Sequence, residues 1–161
     1  MILKVFIYVV FVLLIAGCKK NVNKTTVQNS KIGNLSFSVP VEFAKDKNNA
    51  SETSAYYSYT SSDGKESCFV GVFESVVTSD DLDKLAKDNL YGTGDTSVSD
   101  KTINNQNWKV AIAKNGETLV NYSYVTIYNK KSYIVTYNNL GNGNFCNTSQ
   151  DTIINSLKFE K

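Results

Sequence analysis

The fold of this chain is decided by residues 108–137, which read WKVAIAKNGETLVNYSYVTIYNKKSYIVTY. Apolar and polar side chains alternate along this stretch, and a period of two predicts β-strands over 108–113, 118–128 and 132–137. Asn115-Gly116 is a strong signal for a two-residue hairpin turn between the first two strands. The stretch therefore predicts an antiparallel meander.

The turns of this meander predict how its strands pair. With a two-residue first turn, Ile112 lies opposite Leu119. With residues 129–131 as the second connection, Val125 lies opposite Val135. One face of the meander then carries the apolar side chains of a core, namely Trp108, Val110, Ile112, Leu119, Val125, Ile127, Tyr133, Val135 and Tyr137.

The opposite face of the meander is the candidate binding surface. It is predicted to carry Lys109, Tyr122, Tyr124 and Tyr128. Tyrosine presents a large amphipathic area at low entropy cost, which suits recognition of a protein, a peptide or a glycan. The alternative is that a helix covers this face and packs closely against Ala111 and Ala113.

Further strands and two helices surround the meander. The additional strands are predicted over 35–39, 56–60, 68–76, 98–103 and 157–160. One helix is predicted over 80–91, with Thr78 or Ser79 as its N-cap. A second, short helix begins at Thr148 or Ser149. These elements predict an α+β fold with an antiparallel sheet of about six to seven strands packed with helices, and the alternative is a β-barrel-like antiparallel fold with one helix.

Four segments in a fixed order point to a known family. They are the opening 32–40 (IGNLSFSVP), the helix at 79–91, the meander through residue 137, and the closing 153–159 (IINSLKF). This order resembles the PsbP-like fold, which bacterial envelope lipoproteins share with a eukaryotic Ran-binding protein. The resemblance implies an α/β/α sandwich over 32–161 and a role in binding partners rather than in chemistry. It implies no metal site, because no family ligand motif matches this chain.

A short hydrophobic leader opens the chain. Lys4 precedes an unbroken apolar run over 5–15, which is too short to span a bilayer but has the length of the core of a cleavable signal. Ile15-Ala16-Gly17-Cys18 follows the pattern aliphatic, small, small, cysteine, which is typical of bacterial lipoproteins. These features predict a signal peptide over 1–17 and acylation of Cys18. The alternatives are an ordinary signal with a chance cysteine, or a short uncleaved anchor helix.

The residues after Cys18 predict how the protein is held. Residues 18–31 are polar without a usable period, which is typical of a flexible tether. Lys19-Lys20 would face anionic headgroups beside the anchor. We therefore expect a protein attached to the cell membrane by its lipid anchor, facing outside the cytoplasm in a bacterial cell envelope.

Composition excludes several classes of function. The chain has no histidine and no arginine, so histidine-dependent hydrolysis, histidine-ligated metal sites and bidentate guanidinium clamps are excluded. A formal charge of +2 without a basic block gives no sign of nucleic-acid binding. Asp80, Asp81 and Asp83 lack the spacing of a calcium loop and suit the start of a helix instead. We expect no catalytic residue, no cofactor and no metal.

Cys68 and Cys146 are the cysteines that remain beyond Cys18. Exported domains meet oxidising conditions, so an even number of cysteines in the folded part favours a disulfide between Cys68 and Cys146. The alternative is two buried free thiols.

The sequence therefore predicts a lipid-anchored envelope protein that acts as a non-catalytic binding or interaction module. Its partner would be another envelope protein or a cell-wall component, and the oligomeric state stays open. The alternative is an accessory lipoprotein that binds a small ligand, for instance in transport. A hydrolase with a Ser–Lys or paired-carboxylate site is the remote alternative.

Overall fold

The computed structural model describes residues 25–77, 80–91, 94–116, 119–141 and 143–160. The predicted signal peptide over 1–17 and the predicted lipidation site Cys18 lie outside the described residues, as do Thr78 and Ser79. In chain order the elements are β1 (Val27–Ile32), β2 (Leu35–Pro40), β3 (Ala44–Lys45), β4 (Ser54–Thr60), β5 (Ser67–Val76), α1 (Leu82–Asp88), β6 (Asp95–Ile103), β7 (Gln106–Asn115), β8 (Leu119–Tyr128), β9 (Lys131–Leu140), α2 (Asn144–Ser156) and β10 (Lys158–Phe159).

The strands form two antiparallel sheets. The main sheet has seven strands in the order β3-β4-β5-β9-β8-β7-β6, and the small sheet has three in the order β1-β2-β10. Each strand predicted from the sequence is found, so the α+β prediction is confirmed. The main sheet is open, with β3 at one edge and β6 at the other, which excludes the barrel-like alternative.

The main sheet has one helix over each of its faces. On the first, called the α1 face, Ala86 packs against Ala111 and Val125. On the second, called the α2 face, α2 and the small sheet enclose a larger core around Trp108 and Tyr137. Helices on both sides of a sheet are what the sandwich architecture predicts. The small sheet, which lies on the same side of the main sheet as α2, is an addition to this sandwich architecture.

The small sheet corrects the predicted tether over 18–31. Strand β1 occupies Val27–Ile32 and pairs with β2 through a tight turn, where Gly33 has a φ of 52°. A positive φ of this size favours glycine. β1 is an edge strand whose side chains alternate between exposed and part-buried positions, so its composition is that of a linker. Residues 27–32 therefore belong to the domain and not to a tether, and the domain begins before residue 32.

The pairing of β8 with β9 differs from the prediction. Asn129 and Lys130 both have positive φ, at 50° and 62°, as a two-residue type I′ turn requires. The usual sequence signal for this turn is Asn-Gly, and this chain has lysine in place of the glycine. Tyr128 consequently pairs with Lys131, and Val135 pairs with Tyr124 rather than with Val125.

The pairing of β8 with β7 differs as well. Ile112 pairs with Tyr122 rather than with Leu119, because Asn115 belongs to the last pair of the ladder and not to the turn. Both shifts are by an odd number of residues. Since side chains alternate along a strand, an odd shift moves every side chain of β8 to the other face of the sheet. This reversal decides where the predicted binding residues lie.

The two helices begin at other residues than predicted. α1 begins at Leu82, because the Asp81 side chain accepts the Lys84 N–H and acts as the N-cap. α2 begins at Asn144, several residues before Thr148 or Ser149. Its N-cap Gly143 has no side chain, and the carboxylate of Glu66 accepts the Cys146 N–H at 2.7 Å instead. No helix among the described residues is long and apolar enough to cross a membrane.

A disulfide joins β5 to the first turn of α2. Cys68 and Cys146 are bonded, with their Cα atoms 5.8 Å apart, and both are fully buried. The predicted pairing is confirmed, and the alternative of two free thiols is wrong. The bridge holds the helix that covers the α2 face to the central strands of the main sheet.

Candidate functional site

The three tyrosines of the predicted binding surface lie on the α2 face. Tyr124 is 3% exposed, and its hydroxyl accepts a hydrogen bond from Gln150 at 3.0 Å. Burial raises the pKa of Tyr124 to about 12. The ring of Tyr128 stacks on Phe159, with centroids 4.1 Å apart. Tyr122 is half-buried beside Tyr124. These side chains belong largely to the core.

Lys109 lies on the opposite face of the sheet. Its ammonium group is 2.9 Å from a carboxylate oxygen of Asp100 and 3.0 Å from one of Asp83. Hydrogen bonds to Asp100 and then to Asp83 raise the pKa of Lys109. The lysine thus connects α1 to the β6 edge of the main sheet. The expectation that Lys109 and the tyrosines share one surface is wrong, because β8 is turned over relative to the prediction.

A different surface is left open beside α1. At 1.5 Å per residue this helix is about 10 Å long, and it lies over β6, β7 and β8. The α1 face of β4 and β5 extends beyond it. Phe69 on β5 is 41% exposed there, and Tyr91, just after the helix, is 68% exposed. Large exposed aromatic side chains at one place are unusual and indicate a binding surface.

These side chains form a groove, called here the aromatic groove. Its volume is about 390 Å³, within the usual range for ligand sites. Tyr56 and Phe73 form one side in an edge-to-face contact, with ring centroids 5.2 Å apart. Tyr91 is held above the sheet because the Asn121 side chain donates a hydrogen bond to its backbone carbonyl. Phe69 completes the aromatic lining.

Gly71 keeps the floor of the aromatic groove open. It lies between Tyr56 and Thr136 in one row across β4, β5 and β9. A Cβ atom at residue 71 would lie 2.7 Å from the ring of Phe73 and 2.8 Å from the hydroxyl of Thr136. A side chain at this position would fill the space between the aromatic rings. Residue 71 must therefore be a glycine if the groove is to stay open.

Polar groups without partners lie along the same groove. The side chains of Ser58, Thr136 and Asn138 line it, and none of them has a hydrogen-bond partner among the described residues. Thr136 is only 6% exposed. Polar side chains of buried residues normally find a hydrogen-bond partner, so a free hydroxyl that borders a groove is available for a ligand.

Asp46 is the charged residue among those described around the groove. Its carboxylate accepts hydrogen bonds from the side chain of Asn49 and the backbone N–H groups of Asn48 and Asn49. The side-chain bond from Asn49 and the backbone bond from Asn48 lower the pKa of Asp46. The carboxylate therefore shapes its own loop and stays ionised.

Little in the groove suggests chemistry. Within the described part of the chain, no three cysteine or carboxylate side chains converge on a possible metal position. The arrangement offers aromatic surface, hydroxyls and an amide, which are groups that bind a ligand.

The sequence contained part of the signal for this groove. Phe69, Gly71 and Phe73 alternate along a predicted strand, and a hairpin with the neighbouring predicted strand over 56–60 would bring Tyr56 to them. The missing information was the short length of α1 and the course of the chain at Tyr91. Both depend on tertiary structure.

No protein-family model and no curated protein matches the sequence. The crystal structure of the yeast Ran-binding protein Mog1p matches 84% of this chain and 96% of its own, at 11% identity and a TM-score of 0.52. The fold is similar to that of Mog1p. This likeness agrees with the sequence resemblance, which included a eukaryotic Ran-binding protein, and at this identity it shows the fold alone.

Two further solved structures are similar at lower scores. The solution structure of PsbP from the cyanobacterium Synechocystis has 13% identity and a TM-score of 0.48, with coverage of 90% of this chain and 99% of that one. A crystal structure from Bacteroides thetaiotaomicron has 14% identity and a TM-score of 0.48. The match covers 80% of this chain but 46% of the Bacteroides chain.

Proposed function

We propose that this protein is a lipid-anchored, non-catalytic binding module of the bacterial cell envelope. The aromatic groove carries the proposal, since it joins exposed aromatic rings with unpartnered polar side chains on one open surface. Mog1p, a Ran-binding protein by name, has a similar fold, which supports a role in binding. In this proposal the groove binds another component of the envelope.

The anchor would hold this groove close to the membrane. The lipoprotein pattern at 15–18 predicts acylation of Cys18, and β1 begins at Val27. The nine residue steps from Cys18 to Val27 span at most about 30 Å when fully extended. The domain would therefore work beside the bilayer, on components within reach of a short tether.

Sedimentation of the solubilised envelope tests the proposal. After membranes are dissolved in a nonionic detergent, we expect the wild-type protein to sediment with an envelope component. Phe69→Ala should release it as the free protein, because the truncation removes the most accessible aromatic side chain of β5 from the groove. The measurement is the bound fraction in a density gradient.

Val76→Ala is the matched control. Val76 lies on the same strand as Phe69, points to the opposite face and is 78% exposed. It should sediment like the wild type. Equal sedimentation of wild type, Phe69→Ala and Val76→Ala would contradict the proposed role of the groove.

A further inference from the structure

We infer that the aromatic groove binds a neutral glycan chain, with sugar rings against Phe69 and Tyr91 and sugar hydroxyls on Thr136 and Asn138. This inference rests on the proposed function and names the class of its ligand. Four features of the groove support it, namely its position on the sheet, its chemistry, an unpartnered hydroxyl and its charge.

The position of the groove excludes recognition by strand addition. The groove lies on the face of β4, β5 and β9, and these strands are paired with one another along their whole length. β5 and β9 are paired on both sides, so their backbone N–H and C=O groups are used in the sheet and are not offered to an extended peptide. A ligand in the groove must be recognised by side chains.

The chemistry of those side chains matches a sugar. A sugar ring has apolar C–H faces and a rim of hydroxyl groups. The exposed rings of Phe69 and Tyr91 provide apolar surface for such a face. The side chains of Ser58, Thr136 and Asn138 can both donate and accept hydrogen bonds, as sugar hydroxyls do. Both kinds of contact are present within one groove.

Thr136 marks the point where a ligand hydroxyl is expected. The residue is 6% exposed, its hydroxyl has no partner among the described residues, and that hydroxyl borders the space above Gly71. The residue paired with it on β8, Ser123, is fully buried and also has an unpartnered hydroxyl. The Thr136 hydroxyl, unlike that of Ser123, borders the groove, and a bound sugar hydroxyl would supply the partner that it lacks.

The charge of the groove favours a neutral ligand. None of the described residues that line it is a lysine, and Asp46 already accepts three hydrogen bonds within its own loop. The adjoining depression next to Tyr91 adds a second acid, Asp88. A phosphate or carboxylate ligand would meet no positive side chain and would be repelled.

Titration with neutral trisaccharides tests the inference. The full-length protein is held in micelles of a detergent without a sugar headgroup, since such a headgroup would compete. Chitotriose, cellotriose and maltotriose are added at millimolar concentration, and amide NMR shifts are recorded. We expect at least one of them to bind and to shift resonances in β4, β5 and β9. Failure of all three to bind overturns the inference.

Two conservative variants locate the contact. Thr136→Val keeps the shape of the side chain and should weaken trisaccharide binding by about tenfold without lowering the melting temperature, because the hydroxyl has no partner in the free protein. Ser123→Ala removes the neighbouring unpartnered hydroxyl, which lies outside the groove, and should leave the affinity unchanged. Equal affinities of wild type and Thr136→Val would overturn the assigned contact.

The two proposals can fail separately. If no trisaccharide binds but Phe69→Ala still releases the protein from envelope material, the groove binds an envelope component of another class and only the glycan inference falls. If no trisaccharide binds and Phe69→Ala sediments like the wild type, both the inference and the proposed function fall.

Discussion

Replacing both Cys68 and Cys146 by alanine is expected to lower the free energy of unfolding by about 4–5 kcal/mol. The bridge joins residues separated by 78 positions, so its loss returns considerable chain entropy to the unfolded state. Both cysteines are fully buried, and the packing lost on truncation acts in the same direction. Urea unfolding of the full-length protein, followed by circular dichroism, measures the change.

Reduction provides the control for this prediction. Dithiothreitol should lower the unfolding midpoint of the wild type toward that of the double alanine variant. It should leave the double variant unchanged, since that variant has no bridge to reduce. A wild-type midpoint that does not respond to reductant after full unfolding and refolding would contradict the stabilising role of the disulfide.

Cys18→Ala is expected to move nearly all of the protein out of the lipidated membrane fraction. The thiol of Cys18 is the proposed acceptor of the diacylglycerol, and one acyl chain alone gives only marginal membrane binding. Without the thiol the chain either leaves the membrane or accumulates as an uncleaved precursor. Metabolic labelling with a fatty-acid analogue, followed by fractionation, measures both outcomes.

The double variant Cys68→Ala/Cys146→Ala is the matched control for the anchor. It retains Cys18 as its remaining cysteine, so it should be labelled and fractionate like the wild type. Undiminished lipid labelling of Cys18→Ala would show that the anchor is elsewhere, and the proposed attachment would then be wrong.

The architecture of the main sheet could be predicted because its strands carry a local signal. Alternating side chains in 108–137 and in the 68–76 segment show strands without any knowledge of their neighbours. The Cys68–Cys146 disulfide could also be predicted, because exported proteins meet oxidising conditions whatever their fold. These features follow from local sequence or from composition.

The binding face could not be predicted because it depends on register. A type I′ turn at Asn129-Lys130 replaces the expected three-residue connection. Lys130 has a φ of 62°, and a lysine in the sequence does not indicate such a turn. The resulting shift turned β8 over, so Tyr122 and Tyr124 moved to the α2 face. A prediction of which side chains share a surface fails when one turn is misjudged.

The aromatic groove is a part of the sheet surface that neither a helix nor a side chain fills. Its space exists because α1 ends at Asp88 and because Gly71 has no side chain. The stripe of Leu82, Leu85, Ala86 and Leu90 shows that a helix forms and which side it buries. The stripe does not show how much of the sheet that helix covers. The extent of coverage is a tertiary property.

Site-specific photo-cross-linking in intact cells tests the central claim most directly. A benzophenone amino acid is placed at residue 69 or 91 in the aromatic groove, and at residue 122 or 128 on the α2 face, in separate full-length proteins. After irradiation, the claim predicts adducts of higher mass from residues 69 and 91 alone. Adducts from residues 122 and 128, with none from 69 and 91, would contradict the assignment of the binding surface.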